Sequence, residues 1–138
     1  MKKVTGIGGV FFKCKDPDEM REWYGKNLGL VTNDYGSLFE FRSSNIPDKK
    51  EYLQWSTMSE KSNYFDPSQK QFMINYRVEN LVDLLEELKN SGIEIIGEME
   101  EYEYGKFAWI LDPEGNKIEL WEPIDEVFTK EYEGKTTR

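Results

Sequence analysis

In residues 8–14 the side chains alternate: Val10, Phe12 and Cys14 share one side, and Gly9, Phe11 and Lys13 the other, which predicts a strand. The period then lengthens. Met20, Trp23, Tyr24 and Leu28 recur at helical spacing, with Asp16 and Pro17 suited to the start and Gly29 to the stop. Met20 and Trp23 are expected in the core. Short strands are predicted around residues 30–32, at 38–42 and at 52–57; in the last, Tyr52, Gln54 and Ser56 face one way and Leu53, Trp55 and Thr57 the other. Residues 59–71 are polar and rich in turn formers, so they read as a linker.

From residue 72 the pattern repeats. Phe72, Ile74, Tyr76 and Val78 alternate with Met73, Asn75 and Arg77. Asn80 is a cap for a helix striped with Leu81, Leu84, Leu85 and Leu88, and Gly92 stops it. Strands are predicted at 93–99, 106–111 and 117–122, with Glu119 and Trp121 on one side of the last and Ile118 and Leu120 on the other. Both halves therefore read strand–helix–strand–strand–strand. Asp16 and Asn80 stand 64 residues apart, Gly29 and Gly92 63, Gln54 and Glu119 65, a spacing regular enough to mark an internal repeat. The expected organisation is a single domain over 1–124. It comprises one βαβββ module at about 4–57, a linker at 58–71 and a second module at about 72–124, followed by a charged, peripheral tail at 125–138.

Composition narrows the chemistry. With 38% hydrophobic and 14% aromatic residues the 138-residue chain can build a core despite 33% charged residues. A net charge of −9 argues against a nucleic-acid partner, because phosphate binding relies on Lys and Arg. Cys14 is the only cysteine, so no internal disulfide forms, and its thiol is expected to be buried and inert. The first ten residues are too short and glycine-rich for a signal-peptide core, and no apolar run has membrane-spanning length. A cytoplasmic protein without a membrane partner is expected. There is no histidine at all, which removes His-dependent triads, HExxH zinc sites and imidazole shuttles. Any metal must be held by oxygen, and any general base must be Asp, Glu, Tyr or Lys.

Three stretches carry a resemblance to a known family: "FAWILDPEGNKIELWEP" (107–123), with its DPxGNxIEL pattern, "EWYGKNLGL" (22–30) and "YRVENLVDLLEELKNSGIEI" (76–95). They resemble the vicinal-oxygen-chelate superfamily, which includes glyoxalase I, extradiol dioxygenases and bleomycin-resistance proteins. The resemblance implies an α+β fold in which two βαβββ modules form a curled mixed sheet, a cup. It also implies four metal-ligand positions, which fall here on Gly9, Gln54, Met73 and Glu119. Only Gln54 and Glu119 carry oxygen donors, too few to offset dehydration of a hard cation, so no metal or other cofactor is expected. A divalent ion on that pair is the alternative.

Alternation then puts Phe11, Met73 and Trp121 on the floor of the cup, with Lys13, Gln54, Asn75, Arg77 and Glu119 around it. An aromatic floor with a few convergent polar groups suits a small-molecule ligand. The expected function is metal-independent binding of a small molecule. The alternative is a glyoxalase-type lyase or isomerase, lactoylglutathione-lyase-like or dioxygenase-like, with Glu119 as base. A third reading is a structural module whose cup is filled by its own side chains. Without a ligand, Glu119 is expected to pair with Lys13 or Arg77. The tyrosine-bearing loops 64–66 and 100–105 would border the cup as a lid, and a homodimer is implied by the resemblance.

Overall fold

The computed structural model describes residues 3–138. In chain order the elements are β1 (Val4–Cys14), α1 (Pro17–Leu28), β2 (Thr32–Asn33), β3 (Gly36–Arg42), β4 (Lys50–Ser59), β5 (Phe72–Val78), α2 (Leu81–Asn90), β6 (Glu100–Tyr102), β7 (Gly105–Leu111), β8 (Lys117–Pro123) and α3 (Asp125–Tyr132). The strands form one mixed sheet in the order β2-β3-β4-β1-β5-β8-β7-β6. Each module places its first strand parallel to its own last, β1 on β4 and β5 on β8. The modules meet in the middle, where β1 and β5 run antiparallel. The sheet stays open, with β2 and β6 at its edges. This is the α+β architecture of paired βαβββ modules expected from the repeat.

Local chemistry sets the helix ends as anticipated. Asp16 accepts from the Glu19 N–H at 3.1 Å, and Asn80 accepts from the Asp83 N–H at 3.1 Å, each satisfying a donor that the first helical turn leaves free. Gly29 follows α1 at φ 76°, a left-handed conformation that costs glycine little. The two helices pack differently. Leu81, Leu84, Leu85 and Leu88 of α2 are buried against Val78, Ala108, Ile110 and Leu120 on the outer face of the sheet. In α1 nothing is fully buried: Tyr24 stands on Trp55 and Phe12, with ring centroids 4.8 and 6.5 Å apart, while Trp23 is 53% exposed. Trp23 is thus not a core residue. Helical spacing marks an apolar face, but the aromatic stack under Tyr24 meets only part of it.

Three further expectations are corrected. Residues 93–99 form no strand; only Ile95 is bridged, to Ile110, and the edge strand is β6 at 100–102. Ile95 and Met99 pack on the α2 side and Ile96 toward the cup, so adjacent side chains face opposite sides without joining a ladder. The segment read as a linker begins later, since β4 runs to Ser59, and it is no mere connector: Phe65 is fully buried and Ser68 nearly so. Residues 125–138 are not a peripheral tail. They form α3 and then return to the first module, where the Thr137 N–H donates to the Leu38 carbonyl at 2.8 Å. A charged composition concealed the inward face of that helix. Among the described residues no helix is long and apolar enough to cross a membrane.

Candidate functional site

Four residues form a row across the centre of the sheet, Gln54 on β4, Gly9 on β1, Asn75 on β5 and Glu119 on β8, each in register with the next. The pairing of β1 with β5 slips between Ile7 and Gly9, a bulge centred on Gly8. A Cβ on Gly8 would lie 2.3 Å from Asn75 Oδ1, 2.8 Å from Trp121 Cε3 and 2.9 Å from Arg77 Cγ. On Gly9 it would lie 2.8 Å from the Phe11 ring. Side-chain-free backbone here lets three neighbouring side chains lie over β1.

Glu119 is 2% exposed. Its oxygens accept from Asn75 Nδ2 at 2.7 Å, from Trp109 Nε1 at 2.9 Å and from the Tyr64 hydroxyl. No cation of the described residues lies within salt-bridge distance. The expected pairing of Glu119 with Lys13 or Arg77 therefore does not occur: three neutral donors hold the carboxylate instead. Burial first, and then the Glu119 charge, pushes the Tyr64 phenol well above its ordinary range, so it stays a donor. Lys117 donates to the Tyr64 carbonyl at 2.8 Å and stands over the Tyr64 and Trp109 rings. Its burial lowers the ammonium from the usual lysine value, partly offset by Glu119.

Beside Glu119 the cup is apolar, formed by Phe11, Phe65, Met73 and Trp109. Lys13 sits over the Phe65 ring at 5.4 Å. At the other end Arg77, 3% exposed, donates to Asp125 at 2.6 Å, Glu51 at 3.2 Å and the Tyr52 carbonyl at 3.1 Å, and stacks over Trp121 at 5.4 Å. Trp121 in turn lies parallel to Phe107, at 5.7 Å and 10°. α3 covers this end, its Phe128 ring edge-on to Trp121 at 5.6 Å.

Of the residues singled out from sequence, Asn75 and Glu119 are brought into direct contact, Arg77 joins Trp121, and Phe11 pairs with Met73 across β1 and β5. Gln54 stands apart, its amide donating to the carbonyls of Tyr35, Ser37 and Trp55, and Lys13 reaches Phe65 rather than the polar row. Sequence reasoning set the 64–66 loop at the border of the cup without singling out Phe65 or giving Tyr64 a partner, and it missed Trp109, Asp125 and Phe128. Trp109 was within reach, because alternation along β7 puts Phe107 and Trp109 on one face; Phe65, Asp125 and Phe128 had no periodic signal.

The donor set does not fit a divalent cation. Gly9 offers nothing, the Met73 thioether is buried in an apolar cluster, the Gln54 amide is engaged at the β2–β3 turn, and the Glu119 oxygens are taken. Among the described residues no three His, Cys, Asp or Glu side chains gather as a metal-binding group. A hard ion would find one carboxylate and little else.

Paired βαβββ modules around a concave sheet with a central carboxylate define a chain of the vicinal-oxygen-chelate class. The sequence profile of the Glyoxalase/Bleomycin resistance protein/Dioxygenase superfamily matches residues 6–120, and the protein belongs to that superfamily. No curated protein matches the sequence. Among solved structures, methylmalonyl-CoA epimerase from Mycobacterium tuberculosis is 21% identical, with a TM-score of 0.61 over 92% of this chain and 93% of that one. A variant of methylmalonyl-CoA epimerase from Streptomyces coelicolor, in complex with 2-nitronate-propionyl-CoA, is 12% identical at a TM-score of 0.64, over 88% of this chain and 99% of that one. A superfamily member from Vibrio splendidus 12B01 is 12% identical at 0.53, over 84% and 97%. At such identities the likeness is one of fold.

Proposed function

We propose that the protein binds a small organic molecule in its cup without a metal, and that the segment bearing Tyr64 and Phe65 closes the site. The observation that carries this reading is the state of Glu119: a buried carboxylate, short of any cation, whose third donor comes from a loop rather than from the sheet. Burying an unpaired carboxylate is costly, and a fold that needed only stability would be better served by an apolar residue. A ligand donor, an amine or hydroxyl, would replace the Tyr64 hydroxyl, and its apolar body would replace Phe65 against Phe11, Met73 and Trp109. Asn75 and Trp109 would hold Glu119 in place, while Lys13, Arg77 and Trp121 would border the ligand; Gln54, engaged at the β2–β3 turn, would take part only if its amide were released.

The epimerase neighbours raise a second chemistry, proton transfer by Glu119. Its oxygens already accept three hydrogen bonds, and the nearby Lys117 ammonium is held over the Tyr64 and Trp109 rings rather than at salt-bridge distance, so binding is the better supported role. A cytoplasmic homodimer belongs to the same proposal; light scattering on the eluting protein tests the dimer.

The test is a thermal-shift panel of amines, aromatic acids, phosphates and glycopeptide drugs on protein with and without prior chelator treatment. A ligand specific to the folded state raises the melting temperature by mass action. At least one class should raise it equally in both samples and lose its effect in Glu119→Gln. Bound stoichiometric metal, or a shift abolished by chelation, would overturn the proposal.

A further inference from the structure

Asp125 and Phe128 stand three residues apart on α3 and so leave the helix from one face. Both point onto the concave side of the sheet. Asp125 Oδ2 lies 2.6 Å from Arg77 Nη2, and the Phe128 ring lies 5.6 Å from both Trp121 and Tyr52. α3 thus presents a carboxylate and an aromatic ring to a guanidinium and an aromatic wall. The fit is incomplete. Arg77 Nε and Asp125 Oδ1 are both buried with no hydrogen-bond partner, on residues each 3% exposed. A guanidinium offers Nε and one Nη as a parallel fork, and a carboxylate fills both prongs when it is free to turn. Asp125, fixed on a helix, reaches with one oxygen and leaves a buried donor and a buried acceptor without protein partners.

We propose that α3 occupies the cup as a tethered stand-in for an aromatic carboxylate: Asp125 takes the place of the ligand's carboxylate on Arg77, and Phe128 the place of its ring on Trp121. The inference rests on the reading of the cup as a small-molecule site, and adds a recognition group for its Arg77 end, separate from the donor that Glu119 would accept, and an internal competitor. A free aromatic acid satisfies Arg77 Nε as well as Nη2, and its ring lies against Trp121, which is already stacked on Phe107. Gly8, with no side chain, leaves the space in which Arg77 and Trp121 lie. Displaced, Asp125 enters water. The helix is short and flanked by backbone bonds outside it, Ile124 N–H to the Tyr104 carbonyl at 3.2 Å and Thr137 N–H to the Leu38 carbonyl, so once the Thr129 bond to the Tyr52 hydroxyl breaks it can swing out and stay attached. Ligand affinity is then reduced by the fraction of molecules in which the helix is closed.

The experiment titrates phenylacetate and its neutral analogue phenylacetamide into the wild-type chain, Phe128→Ala and Asp125→Asn, each verified as folded by circular dichroism. Phe128→Ala leaves the ion pair intact and guards against a variant that fails to fold. Phenylacetate should bind Phe128→Ala and Asp125→Asn at least tenfold more tightly than wild type, and in each of these variants at least tenfold more tightly than phenylacetamide. In wild-type protein, phenylacetate should accelerate amide hydrogen exchange across residues 125–132. Equal affinity of the opened variants for phenylacetamide and phenylacetate would show an unselective cavity and overturn the proposal. Exchange in α3 that is slowed or unchanged by bound phenylacetate would also overturn it, while leaving the cup as a binding site. Absence of phenylacetate binding in every variant overturns the stand-in role, and the wider reading is then judged by the thermal-shift panel, whose amines and phosphates do not depend on Arg77 being freed.

Discussion

Tyr64→Phe removes one of the three donors on Glu119 and nothing else from the cup. At pH 8 the lost bond to a charged acceptor would cost about 1.5–3 kcal/mol if fully buried. Tyr64 is 38% exposed, so water recovers part of this and a loss of about 1 kcal/mol is expected. The pH dependence is the sharper signature. Burial and the Glu119 charge raise the Tyr64 phenol above its ordinary value of 10.0, so above that pH the unfolded chain releases a proton that the folded chain keeps. Stability conferred by this proton is complete below pH 10 and declines as pH rises toward the higher folded value, by at most about 1.4 kcal/mol per pH unit and less at a partly exposed site. The Phe variant has no such proton to lose. The gap between the two proteins should therefore narrow above pH 10 and approach zero by about pH 11. Urea midpoints at pH 8, 10 and 11 measure it; the remaining tyrosines and lysines are common to both chains and cancel. A gap that is constant or widens across this range refutes the placement of Tyr64 on Glu119.

Gly8→Ala forces a Cβ to within 2.3 Å of Asn75 Oδ1 and 2.8 Å of Trp121, and should cost about 2–3 kcal/mol in thermal denaturation. Gly6→Ala, whose nearest contact would be Arg77 Cδ at 3.9 Å, should stay within about 0.5 kcal/mol of wild type. Glu119→Ala strands three donors and should lose about 1–3 kcal/mol, whereas Glu119→Gln should fold nearly normally yet change ligand affinity; equal stability of the two variants would contradict this. Arg77→Met leaves Asp125 buried without its closest cation and should lose about 3–5 kcal/mol by urea denaturation, with much of the loss recovered when Asp125→Leu is added.

The fold was legible because the hydrophobic period changes at the right places twice, and because the caps Asp16 and Asn80 and the stop Gly29 are chemically specific. The side chains of β1, β5 and β8 that line the cup followed from alternation alone, since a strand has only two faces. Of what closes the cup, only the position of the 64–66 loop followed. Phe65 lies in a polar segment without periodicity, and Asp125 and Phe128 lie in a short helix dominated by charge. Their burial is decided by where the sheet leaves room, which is a property of the assembled structure. Residues 93–99 failed in the opposite way: Ile95 and Ile96 do face opposite sides, but the segment is bridged to β7 only at Ile95.

The path of the last fourteen residues, 125–138, ties the halves of the repeat into one mechanical unit. Asp125 grips Arg77 in the second module, Thr129 bonds the Tyr52 hydroxyl in the first at 2.7 Å, and Thr137 is stitched to Leu38 and Ser37 of β3. A chain cut between the modules would thus keep a belt as well as a seam, and two separately made halves should reassociate far more readily when the second half keeps residues 125–138 than when it ends at β8.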